Sequence, residues 1–303
     1  MMSLGVVLHG AQLYLTIPII DYYWDPMRSP SMDAILIFIN SFRMPTFYML
    51  SGFFTALLVS RRGLDGMIHN RYKRLFIPFV VFLPVLALTM TGLRIVGAHL
   101  MATGKWGFDL SLVSAPGDLW NNTHNLWFLY YLMMYVLSAW LLITASSFLP
   151  ERTTQWMRNK LLAKPLYSLT MILIVSAIWS ALGSLSTAGR ISGTLSFVPS
   201  LLVFSYFGVA FLVGWLLYLR IDDIEVLIAR AWRYLTLAII FLAVALLGFA
   251  FQGEPGDSNY IAFHSLLSLC TGLSMTMFVL GLPGLFSRYY HNHSPWIRYF
   301  SDS

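Results

Sequence analysis

Two ionisable side chains stand inside apolar stretches where such groups are costly. LGVVLHGAQLY at residues 4–14 carries His9, and FINSFRMPTFYMLSGFF at residues 38–54 carries Arg43, two positions ahead of Pro45. Both stretches read as membrane spans, joined by a short loop from Asp21 to Asp33. Counted from those acids, His9 is twelve residues in and Arg43 ten. At about 1.5 Å per residue each lies roughly 15–18 Å deep, near the midplane of a hydrocarbon core about 30 Å thick. An arginine at that depth costs about 2.5 kcal/mol or more, and intramembrane ionisable groups usually mark a site or a pathway. Neutral imidazole is the form a general base needs, and a guanidinium can bind an anion or a developing oxyanion. Each group also has a structural reading. His9 could hydrogen-bond a neighbouring helix, and Arg43 could tether the carbonyl that Pro45 leaves without a ladder bond.

Two further clusters suggest ligands. Arg61 and Arg62, followed by Arg71, Lys73 and Arg74, place five cations between the second and third apolar runs. They could hold a polyphosphate such as that of coenzyme A, although topology and anionic lipid account for a basic loop without it. HNLWFLYY at residues 124–131 opens the fourth run. His124 and Trp127 share a helix face there and could meet a sugar or gate a cavity, or simply belong to an interfacial aromatic belt. All thirteen Asp and Glu lie in loops, the tail or span ends, which weakens a proton-coupled transporter. His9 has no evident carboxylate to orient it. No His is followed by an acid five positions on, and no zinc spacing, P-loop or Gly-x-Ser-x-Gly elbow occurs.

The elements that must position these groups are membrane helices. The chain is 58% hydrophobic and 11% charged, with a mean hydropathy of +0.70. Soluble domains average about a quarter charged residues, so this is an all-α, polytopic membrane helix bundle. Eight apolar runs are long enough, or nearly so, to span: about Leu4–Ile20, Ala34–Ser60, Leu75–Ala98, Asn125–Phe148, Leu166–Leu185, Leu195–Leu219, Tyr234–Phe251 and Tyr260–Leu282. Fourteen of the nineteen Lys and Arg fall in the even loops and the tail, so the positive-inside rule makes both ends cytoplasmic. That places Arg71, Lys73 and Arg74 at a cytoplasmic mouth and His124 and Trp127 at the outer face. The net charge of +6 is thereby a topological signal rather than a sign of nucleic acid. Cys270 is a single cysteine and forms no intrachain disulfide. No repeat or linker divides residues 1–303, which read as one domain.

LGVVLHGAQLY, FINSFRMPTFYMLSGFF, NRYKRLFIPFVVF at 70–82, HNLWFLYYL at 124–132 and WIRYFSDS at 296–303 occur in an order that resembles the integral-membrane acyltransferase 3 family. The resemblance implies a bundle of about ten helices in the cytoplasmic (inner) membrane. It implies transfer of an acyl group, succinyl or acetyl, from acetyl- or succinyl-CoA to a hydroxyl of a periplasmic or cell-surface glycan. No tightly bound cofactor or metal is implied; the partners are membrane lipid, the acyl donor and the glycan. Carried over by position, His9 resembles the family's essential histidine, Arg43 the Arg of its Phe-Arg-Met-Pro segment, and Arg71 and Arg74 its basic entrance to the third span. The family carries an Arg eleven residues before that histidine and continues past FSDS, so the resemblance implies that both ends are incomplete. Two other classes remain: a transporter or flippase for a glycan or lipid-linked precursor, for which Pro45 could mark a broken helix, and an inactive scaffold.

Overall fold

The computed structural model describes residues 2–16, 25–109, 111 and 122–289. WIRYFSDS and the Asp21 used for depth counting lie outside the described residues. In chain order the helices are α1 (Met2–Ala11), α2 (Pro30–Arg71), α3 (Ile77–Thr103), α4 (Trp127–Ser146), α5 (Glu151–Leu161), α6 (Leu169–Gly183), α7 (Leu201–Leu219), α8 (Asp223–Phe251) and α9 (Tyr260–Tyr289). No strand occurs among the described residues, only an isolated bridge between Asn122 and Ser196. Five helical stretches there are long and apolar enough to cross a membrane: Pro30–Thr103, His124–Ser146, Leu201–Leu219, Asp223–Phe251 and Tyr260–Tyr289.

Each apolar run yields a helix, but the boundaries are set by hydrogen bonds rather than by hydropathy. The first run is α-helical only to Ala11 and continues as a 3-10 turn over Gln12–Tyr14. The returning segment ends it: Asp25 N–H donates to Leu13 O (2.9 Å) and Ser29 N–H to Tyr14 O (3.0 Å). The second and third runs are one helical stretch. α2 breaks at Gly63, whose φ of 69° is a left-handed conformation that glycine adopts without a Cβ penalty, and a π-helical turn, Tyr72–Phe76, joins it to α3. The sixth run was expected to be helical from Leu195, yet α7 begins at Leu201. Leu195 O accepts from both Thr123 N–H (2.6 Å) and Thr123 Oγ1 (2.7 Å), and Phe197 O accepts from Tyr130 Oη (3.0 Å). Pro199 follows and disfavours a helical residue before it. The seventh run extends eleven residues upstream, to Asp223, because the packing stripe of α8 continues past its apolar part. α5 was not anticipated, since its charged sequence ERTTQWMRNKL has no apolar run.

Chain packing divides the molecule into two compact units. One comprises Met1–Phe47, Leu57–Pro150 and Ser192–Gly208; the other comprises Tyr48–Ala56, Glu151–Ile191 and Val209–Ser303. In lipid the hydrophobic effect does not draw helices together, so small residues and interhelical hydrogen bonds must. The second unit uses both. Ala231, Ala238 and Ala245 recur every seven residues on the buried side of α8, where Ser274 Oγ of α9 donates to Ala238 O at 2.8 Å. Gly284 of α9 packs directly on the Leu227 carbonyl. Ser176 of α6 donates to Thr276 of α9 at 2.9 Å. Gly52 of α2 and Gly214 of α7 form a reciprocal pair, each facing a backbone carbonyl of the other helix, Phe211 O and Met49 O respectively.

Candidate active site

His9, Arg43, Arg71, Lys73, Arg74, His124 and Trp127 all fall in the first unit. Its α1 and the turn that follows pack on the first part of α2 through buried Leu8, Leu15, Leu36 and Ile39. Asp33, in the first turn of α2, fixes the register: its Oδ2 accepts from Thr16 Oγ1 (2.6 Å) and its Oδ1 from Thr16 N–H (3.2 Å). Thr16, rather than Asp21, is therefore level with Asp33, and α1 sits displaced along α2 relative to the depth count. Arg43 accordingly meets α1 at Gly5. A Cβ placed on Gly5 would lie 2.6 Å from Arg43 Nη1, so the guanidinium occupies the space that a side chain would fill. His9 is one turn along, at i+4 on the same face, and helical Cα–Cβ bonds tilt it back toward Gly5. The two groups expected at one depth are thus offset by one turn while facing the same side of α1.

Gln12 supplies what the sequence seemed to withhold from His9. Its Oε1 lies 2.9 Å from His9 Nδ1. With the amide oxygen as acceptor, the proton resides on Nδ1, and Nε2 presents a lone pair; the bond made by one ring nitrogen sets the role of the other. Nε2 has no partner among the described residues, and His9 is exposed. Gln12 was legible three positions after His9, but nothing in its spacing distinguished it from a surface amide.

Pro45 does not break α2, whose one non-helical residue is Gly63. Half-buried Arg43 makes no hydrogen bond among the described residues, so it does not tether the carbonyl opposite Pro45. One turn beyond Arg43 on the same face, Phe47 packs edge-on against Phe128 of α4, with centroids 5.5 Å apart. Phe128 is the neighbour of Trp127. The second helix face of the site is thereby brought to the first.

The start of α4 is built across long range. Residues 192–200, which form no helix, lie over its first two turns. Trp127 lies directly on Gly193, leaving no room for a Cβ. Tyr131 Oη bonds Thr194 Oγ1 (3.0 Å) and accepts from Ser200 N–H (2.9 Å). Trp127 also packs on Phe207, 5.6 Å between centroids. His124 has a φ of 47°, a left-handed conformation rare outside glycine. Such a residue costs about 1–3 kcal/mol and persists where surrounding bonds over-determine it; here Asn122 Oδ1 accepts its N–H (2.8 Å) and Thr123 is clamped to Leu195.

The basic turn lies beside this segment rather than across the membrane from it. Lys73 and Arg74 occupy the π-helical turn that follows Arg71, and both are exposed, whereas Arg71 is half-buried. π-turns inside helices are frequent at functional sites. The turn Tyr72–Phe76 lies against α4, and the His124–Leu126 turn lies against α3. Phe79, at the start of α3, stacks on Tyr130, at the start of α4, with centroids 6.2 Å apart. The expectation that Arg71, Lys73 and Arg74 face one side of the membrane and His124 and Trp127 the other is therefore corrected. The starts of α3 and α4 adjoin, because residues 192–200 cover α4's first turns and α4 begins level with Phe47 of α2 instead of at the end of the bundle.

Residues 2–303 match the family described as "Acyltransferase domain". Over 146 residues the chain is 30% identical to glucans biosynthesis protein C of Escherichia coli (strain SMS-3-5 / SECEC). That alignment covers 46% of this chain and 36% of the relative, so the chain spans about a third of the curated relative it matches. No solved structure matches.

Proposed function

The chain belongs to this acyltransferase family, and from that membership we propose that it is a membrane-bound O-acyltransferase. It moves a succinyl or acetyl group from an acyl-CoA-type donor to a hydroxyl of an extracytoplasmic glycan. The observation that supports the reading is that an imidazole bonded to Gln12, a guanidinium that makes no hydrogen bond among the described residues and a basic turn beside an aromatic helix start all belong to one unit. Arg71, Lys73 and Arg74 bind the donor's phosphates, as charge-assisted contacts do. Arg43 stabilises the carbonyl oxygen as it takes up negative charge. His9 Nε2 takes the acceptor hydroxyl's proton and returns it to the departing thiolate; Gln12 holds the tautomer that makes this possible. Trp127 presents an apolar ring face to the sugar, and His124 holds the turn that places it. The relative's name, a glucan biosynthesis protein, supports a glucan as acceptor.

The transporter reading drew on Pro45 as a break in a span, and α2 runs through Pro45 unbroken. The test is acyl transfer by protein purified into nanodiscs, with labelled succinyl- or acetyl-CoA and oligoglucans, read by mass spectrometry of the glycan. Transfer is expected with the native chain and lost in His9→Ala at unchanged expression. Transfer retained in His9→Ala sinks the assignment; labelled glycan moving across proteoliposomes without acylation establishes the transporter instead.

A further inference from the structure

α5 takes no part in the site, and its surroundings are informative. On a helical wheel, Trp156, Met157 and Leu161 fall within an arc of about 140°, while Glu151, Gln155 and Asn159 line the opposite side. The apolar side is not covered by protein: Trp156 is 61% exposed, Leu161 55% and Met157 44%. Thr154 is the single half-buried residue of the helix.

The end of α5 is pinned where neighbouring helices of the same unit enter and leave the apolar zone. α6 begins its apolar fifteen residues at Leu169, and α7 ends its apolar run at Leu219. Between them, Arg220 Nη1 donates to Leu162 O, and buried Asp223 accepts from Leu166 N–H (2.8 Å) while pairing with Arg220 Nε (3.0 Å). Arg230 lies over the Tyr167 ring, 5.5 Å from its centroid. These contacts hold residues 162–167 at the boundary of the spans, so α5 is kept beside the membrane surface. Its charge matches one kind of surface. Arg152, Arg158, Lys160 and Lys164 stand against a single acid, Glu151.

We infer that α5 is an interfacial helix that binds the surface of an anionic bilayer. Trp156, Met157 and Leu161 sink to headgroup level, and Arg152, Arg158, Lys160 and Lys164 contact lipid phosphates. Lys160 falls within the apolar arc, and its long stem lets the ammonium reach outward. Amphipathic helices rich in Lys and Arg with a Trp-bearing apolar side bind in this way, aided by anionic lipid.

The test is site-directed spin labelling of the whole chain in nanodiscs, in a Cys270→Ala background, with single cysteines at 151, 155, 157, 159 and 161. In nanodiscs containing phosphatidylglycerol, labels at 157 and 161 should favour oxygen over an aqueous nickel complex, and labels at 151, 155 and 159 the reverse. With phosphatidylcholine alone that contrast should shrink, and Arg158→Glu with Lys160→Glu should abolish its dependence on lipid charge. Water-like accessibility at both 157 and 161, equal accessibility on the two sides, or indifference to lipid charge overturns the inference. Cysteine substitution is avoided in a second measurement, the difference in tryptophan quenching by brominated lipid between the native chain and Trp156→Phe. Loss of a lipid-quenched component is expected; an unchanged quenched fraction also overturns it.

Discussion

Gly5→Ala isolates the placement of Arg43 from everything else in the bundle. The new methyl would lie 2.6 Å from Nη1, against 3.4–4 Å for ordinary contact, so the guanidinium must retreat by about 0.8 Å or more. The obstructing atom is the end of a flexible side chain rather than backbone, so helix packing need not change. Ala is also a better helix former than Gly, by about 1 kcal/mol. Thermal stability should therefore hold or rise. A displacement near 1 Å at a reacting centre can cost about 10²-fold in rate, so a drop of about 10- to 100-fold in kcat is expected. Affinity for acyl-CoA, which the proposed function assigns to a different turn, should be little altered. The assay follows release of free thiol from acyl-CoA with a glucan acceptor in nanodiscs, alongside a melting curve and equilibrium binding of labelled CoA. A folded Gly5→Ala protein with native kcat would refute the reasoning that Arg43 acts from this position.

Gln12→Met keeps side-chain length and removes the acceptor opposite His9 Nδ1. A neutral hydrogen bond is worth about 0.5–1.5 kcal/mol, so kcat should fall about 2- to 12-fold with KM unchanged; an unaltered kcat would remove Gln12 from the mechanism. Arg71→Ala and Arg74→Ala should each weaken CoA binding about tenfold, one charge-assisted contact apiece. Loss of kcat at unchanged CoA affinity would contradict the donor role. Gly214→Ala drives a methyl into Met49 O, a backbone atom that cannot swing away. Overpacking costs about 1–3 kcal/mol, so the protein should melt at lower temperature, and an unchanged midpoint would count against the α2–α7 contact.

The helical, membrane-embedded character of the chain was legible because lipid enforces it. With no water to satisfy backbone groups, a 20-residue apolar stretch has almost no alternative to a helix, so composition and run length suffice. His9 and Arg43 stand out in the sequence for the same reason, as ionisable groups inside apolar runs. Their relation was not. Equal counting from Asp21 and Asp33 assumed that both spans end at those acids, whereas the Thr16–Asp33 bonds slide α1 along α2 and bring Gly5 to Arg43.

The partition of Arg71, Lys73 and Arg74 from His124 and Trp127 likewise followed from counting spans and alternating faces. Hydropathy records how far a helix runs through apolar surroundings, not which level of its neighbour it starts against. That level is decided by contacts more than sixty residues apart: Thr123 with Leu195, Tyr131 with Thr194 and Trp127 with Gly193. The sequence by itself determined that this is a helical membrane protein with a cation and an imidazole inside apolar runs. Only tertiary structure decided which turn of α1 receives Arg43 and that the basic turn and the tryptophan share one neighbourhood. Each depends on side chains meeting across helices, and a one-dimensional pattern contains no term for that.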